Sequence, residues 1–97
     1  MRHARLERSY RGISERLAIR YLEKLGGERI EEHVVESAGG DGDEAGGHDW
    51  RATLTAETVS IGPTMKLTEV TVLLEGEEET VEALLERFSQ KAMRAGG

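Results

Sequence analysis

Apolar residues alternate with polar ones in some stretches of this chain and recur every third or fourth residue in others, periods that predict strands and helices respectively. Ala4, Leu6 and Tyr10 alternate within His3 to Arg11, which predicts a first strand whose apolar face Arg8 interrupts. Gly12 breaks that pattern. Ile13 then stands where a hydrophobic staple would, and Ser14 is a good N-cap for a helix carrying Leu17, Ala18, Tyr21, Leu22 and Leu25 on one side, stopped by Gly26-Gly27. From Glu28 to Ser37, Ile30, Val34 and Val35 among polar neighbours predict a second strand with one wet face. Trp50, Ala52, Leu54 and Ala56 alternate with Arg51, Thr53, Thr55 and Glu57, the pattern of a half-buried antiparallel strand. At Val59 and Ile61 the apolar phase slips by one residue, which predicts a bulge, a bend or a break into two short strands near Glu57-Thr58. Gly62-Pro63 marks a turn, Leu67 to Glu75 reads as the last strand, and Gly76 closes it. Val81, Leu84, Leu85, Phe88 and Ala92 form one stripe of a final helix over 77–94. Glu77, Glu78 and Glu79 lie at the positive end of its dipole, Lys91 and Arg94 at the negative end. The order β-α-β-β-(β)-β-α predicts an α+β fold, an antiparallel sheet of four to five strands with two helices on one face, because a parallel sheet would give continuous apolar strands.

Length and composition narrow this picture. Ninety-seven residues fit one domain, 1–97, interrupted by a Gly- and acid-rich stretch at 38–49 that predicts a flexible loop. Without cysteine there is no disulfide, thiolate metal site or cysteine nucleophile. No apolar run approaches the roughly 18 residues a membrane span needs, so a soluble, cytoplasmic protein is expected. The net charge of −6 is unevenly spread: residues 1–30 hold eight Lys/Arg against four Glu, and the remainder five against fifteen Asp/Glu.

Candidate chemistry is sparse. The chain as given ends in Gly96-Gly97, the terminus that ubiquitin-like modifiers and sulfur carriers use: the last carboxylate would be adenylated and then converted to a thiocarboxylate or an isopeptide. The plainer alternative is a helix stop with a frayed end. Asp41, Asp43, Glu44, His48 and Asp49 gather donors for a hard cation, but the twelfth position counted from Asp41 is Ala52, where an EF-hand needs a bidentate Glu, so a solvated acidic linker is expected and no metal. Gly40 to Ala45 matches a dinucleotide fingerprint only in letters, since its carboxylates would repel a pyrophosphate. His3, His33 and His48 have no ligand spacing. Ser14 beside Glu15 reads as a cap and a first-turn carboxylate, with no neighbouring histidine to make a nucleophile of the hydroxyl. Arg2, Arg5, Arg8 and Arg11 recur every third residue, so on a strand they alternate faces; a phosphate-contacting edge is set against counter-ions for the chain's own carboxylates. Trp50, Phe88, Tyr10 and Tyr21 are expected to anchor the core, and the limited apolar inventory argues for a filled interior, with the space under the last helix the best place for a pocket.

Leu67 to Glu79, running through Val81 to Phe88 into Lys91 to Gly97, resembles the C-terminal domain of MoaD-related proteins, and Tyr21 to Gly27 adds to the likeness. MoaD itself is the small sulfur-carrying subunit of molybdopterin synthase. The resemblance implies a TATA-binding-protein-like fold, β-α-β₄-α, over nearly the whole chain, and an association with molybdopterin biosynthesis or sulfur-carrier biology. The expected function is a non-enzymatic accessory or protein-interaction domain without a cofactor. Its implied partner is a sulfur carrier or a molybdopterin-synthase component, with an E1-like enzyme as a further candidate. The alternatives are a modifier activated at Gly97 and a weak nucleic-acid binder through the N-terminal arginines.

Overall fold

The computed structural model describes residues 2–37 and 50–96. The elements are β1 (His3–Arg11), α1 (Glu15–Lys24), β2 (Gly27–Glu31), β3 (Val34–Ser37), β4 (Trp50–Ser60), β5 (Lys66–Glu77) and α2 (Glu78–Gly96). The five strands form one antiparallel sheet in the order β1-β5-β4-β3-β2. The four strands after α1 therefore run as a meander, and β1 closes the sheet by pairing with β5, from His3↔Glu77 to Arg11↔Glu69.

The alternation predicted for the strands places one set of side chains on one face. Ala52 lies opposite Leu74 and Leu54 opposite Val72, while Val35 faces Ala52 from the other side. These residues are buried and meet Ala18 and Leu22 of α1 and Val81, Leu85 and Phe88 of α2, so both helices cover the same face. Phe88 is fully buried and stands in edge or tilted contact with Tyr10 (centroids 5.1 Å apart) and Tyr21 (6.0 Å). The Tyr10 hydroxyl shares a hydrogen bond of 2.7 Å with Ser89, which satisfies the polar end of a ring whose body is packed.

Helix ends follow their chemistry. Ser14 Oγ accepts from the Leu17 N–H at 3.1 Å, a cap on α1. At the far end Gly26 adopts φ +105°, the left-handed residue after the cap, where a side chain would be strained. Gly27 is needed for a different reason: a Cβ there would stand 2.6 Å from the Trp50 ring, 2.7 Å from Val35 and 2.9 Å from the Leu22 carbonyl oxygen. The Glu77 carboxylate accepts from both the N–H and the hydroxyl of Thr80 at 3.1 Å, capping α2.

Several elements differ from the sequence pattern. The stretch 28–37 is two strands, β2 and β3, joined by a turn at Glu32-His33, because Arg29 donates to the carbonyl oxygens of Glu31 and Glu32 at 3.2 Å and holds the chain in a bend. A register irregularity between Arg29 and Glu31 leaves Ile30 exposed. Conversely, no bulge or break occurs at Glu57-Thr58. Strand β4 pairs with β5 continuously from Trp50↔Gly76 to Ser60↔Lys66, and the slipped apolar phase marks where the hairpin runs out past the helices: Ala56 is exposed on their side while Val59 and Ile61 lie on the opposite face. The fifth strand therefore arises from the bend before Val34, and the last strand is longer than predicted at both ends, with Gly76 inside it. The predicted loop 38–49 lies outside the described residues.

Candidate functional site

The first turn of α1 brings Glu15 over the β2–β3 turn, and a cleft of about 510 Å³ opens between them. Its floor is Ile19, and its walls are Arg16, Arg20 and Glu23 from α1 with Arg29, Glu32 and His33 from the hairpin. This lies on the outer side of α1, while the space under α2 is filled, as the limited apolar inventory predicts, by Phe88, Val81, Val70 and Val72, all fully buried.

His33 organises the cleft. Its Nδ1 pairs with Glu15, and its Nε2 stands 3.4 Å from Glu32. The hydrogen bond to the Glu15 carboxylate holds the imidazole pKa above its ordinary 6.5, with the fields of Glu15 and Glu32 adding to it and desolvation and Arg29 opposing. Arg29 is occupied by the two backbone carbonyls of the turn. Arg16 and Arg20, one helical turn apart, are exposed and make no ion pair among the described residues. The cleft thus offers two unengaged guanidinium groups beside a carboxylate pair already committed to an imidazole.

The sequence-predicted residues distribute as follows. Ser14 is confined to its capping bond, so although the fold brings His33 to Glu15, no serine nucleophile results. That His33–Glu15 pair was invisible in the sequence, since it spans eighteen residues and depends on a turn that the pattern did not signal. His3 is exposed on β1, and His48 with the acidic donors Asp41 to Asp49 lies outside the described residues. Among the described residues no group of His, Asp or Glu is spaced to hold a metal ion. Arg2, Arg5 and Arg11 reach Glu78 (3.7 Å), Glu75 (3.3 Å) and Glu69 (3.1 Å), so three of the four N-terminal arginines serve carboxylates of the same chain. Gly96 is the last residue of α2, and Gly97 lies outside the described residues. No described helix is long and apolar enough to cross a membrane.

A family model described as archaeal MoaD-like protein matches residues 6–97. No curated protein matches the chain.

Proposed function

The chain belongs to the archaeal MoaD-like family, and from that premise we propose that it is a non-enzymatic interaction domain of sulfur-carrier biology that docks a protein partner in the cleft between α1 and the β2–β3 turn. The observation that carries this reading is the pair Arg16 and Arg20: exposed, without an ion pair among the described residues, and set over an apolar floor at Ile19. Guanidinium forks recognise carboxylates in two-point fashion, so an acidic segment or chain terminus of a sulfur carrier or molybdopterin-synthase component is the partner this chemistry suits. The observed order β-α-β₄-α supports the further proposal that the architecture is of the TATA-binding-protein-like kind, and a cytoplasmic location accords with such partners.

The test is binding of the purified sulfur carrier from the same cell, measured by calorimetry. Arg16→Glu with Arg20→Glu should weaken it by tenfold or more, roughly the 1.4 kcal/mol of one lost charged contact, while removal of Gly96 and Gly97 should leave it unchanged. The opposite pattern, with a Gly97 adenylate or thiocarboxylate seen by intact mass after incubation with ATP and an E1-like enzyme, would replace docking by the carrier reading.

A further inference from the structure

The sheet manages its outer edges unequally. Strand β1 presents Arg5, Arg8 and Arg11, and β2 is only five residues long with an irregularity at Ile30, both devices that discourage further pairing. A third stretch of edge has no such protection. Strand β3 covers β4 only at Arg51 to Thr53, with a last hydrogen bond from the Leu54 N–H to the His33 carbonyl at 2.9 Å. From Thr55 to Ser60, β4 has β5 on one side and no described strand on the other. That stretch holds neither proline nor lysine, and its one charge is Glu57.

We propose that this edge pairs with the same edge of a second copy, antiparallel about a two-fold axis through Thr58. Hydrogen-bond alternation fixes which backbone groups are available: Leu54 points toward β3, so Ala56, Thr58 and Ser60 point the same way, where no described strand pairs with them. With Thr58 on the axis, it exchanges both its bonds with the partner's Thr58, and Ala56 does so with the partner's Ser60. The neighbouring register, centred on Glu57, fails twice. It sets two carboxylates face to face, which is destabilising, and it puts Ser60 opposite a Leu54 whose N–H His33 already holds. Centring on Thr58 brings Ile61 opposite the partner's Thr55, so the pairing ends where β3 begins.

The same register joins two exposed apolar patches. On the face away from the helices, Val59 lies beside Leu67, and the Ile61 N–H donates to the Met65 carbonyl at 2.8 Å, so these four side chains sit together at the end of the hairpin. Ile61 is 42% and Met65 58% exposed. With Thr58 on the axis, Val59 stands directly opposite the partner's Glu57 and becomes the diagonal neighbour of the partner's Val59, within side-chain reach, so the two apolar patches touch at their Val59 ends. An interface this narrow belongs at the weak end of specific interfaces, so the dimer should dissociate on dilution.

Sedimentation equilibrium from low micromolar to near-millimolar concentration tests this directly. The parent chain should convert from monomer to dimer; Thr58→Lys, which opposes two ammonium groups on the axis, should remain monomeric with an unchanged circular dichroism spectrum. Thr68→Lys, on the strand paired with Thr58 but away from the edge, should dimerise like the parent. Because the chain has no cysteine, Thr58→Cys provides an independent reading: the axis brings its Cα within about 5.5 Å of its copy, a bridgeable distance, whereas Ser60→Cys faces the partner's Ala56 and should not link. A parent that stays monomeric throughout overturns the proposal, as does a Thr58→Lys dimer as tight as the parent's or cross-linking of Ser60→Cys in preference to Thr58→Cys.

Discussion

At the scale of single residues, His33 and Gly27 each hold two elements together by opposite means. His33 does so with charge, clasping Glu15 from the β2–β3 turn. Its pKa in the folded chain is raised by that bond, so the contribution is fully present below the unfolded value of 6.5 and is lost as pH climbs through the higher folded value. An NMR titration of the imidazole should therefore give a midpoint above 6.5, and Glu15→Gln should bring it down. A midpoint at or below the ordinary value in the parent would mean that the clasp does not form in solution. Gly27 acts by absence. The backbone oxygen of Leu22 cannot swing away as a side chain can, so a methyl group on Gly27 must push α1 and Trp50 apart. Gly27→Ala is expected to cost about 1–3 kcal/mol, the range for overpacking, and to lower the thermal midpoint, whereas Ser14→Ala should cost about 1 kcal/mol through the lost cap. Thermal and urea unfolding of both variants would check the ranking.

At the scale of elements, helix α2 supplies the side chain around which the sheet closes. Phe88 touches the rings of Tyr10 on the first strand and Tyr21 on the first helix, tying the start of the chain to its end. Phe88→Ala should cost about 3–5 kcal/mol, a large part of the 5–15 kcal/mol typical of a small domain, while Met93→Ala on the exposed side of the same helix, 72% accessible, should stay within about 0.5 kcal/mol. Chemical denaturation decides it, and equal losses at the two positions would mean that α2 is not docked as described. This helix was legible in the sequence because its stripe is long and its terminal charges agree with the dipole. The β4 strand was legible for the same reason as far as Leu54, where burial imposes the alternation. Beyond Leu54 the side chains on both faces of the strand are exposed or half-buried, so they have similar surroundings and the apolar phase ceases to report the backbone. The β2–β3 bend escaped the pattern because neither glycine nor proline marks it; the Arg29 guanidinium, bonding carbonyls two and three residues ahead, does that work. Likewise the cleft was hidden: its residues are scattered over 15–33 and meet only once that bend exists.

At the scale of the whole molecule, the charge asymmetry of the sequence is largely cancelled by the fold. The basic first strand is laid beside β5 and the start of α2, so that Arg2, Arg5 and Arg11 meet Glu78, Glu75 and Glu69 from the acidic part of the chain, and Arg51 on β4 meets Glu36 on β3 at 2.6 Å. These pairs are solvent-exposed, each worth about 0–1 kcal/mol, and their consequence is for recognition more than for stability. A polyanion needs several free cations on one surface, and here the alternation of the strand separates Arg8 from Arg5 and Arg11, whose charges are already matched. With a net charge of −6 repelling phosphates as well, the chain should pass through an immobilised RNA or DNA column near physiological salt, where fields are screened beyond about 8 Å. Glu69→Gln with Glu75→Gln unmatches Arg5 and Arg11 and should introduce weak retention that salt removes. Retention of the parent with a steep salt slope that survives Arg16→Glu with Arg20→Glu would instead mean that the N-terminal arginines are free to release counter-ions from phosphates, and the nucleic-acid reading would take precedence over docking at the cleft.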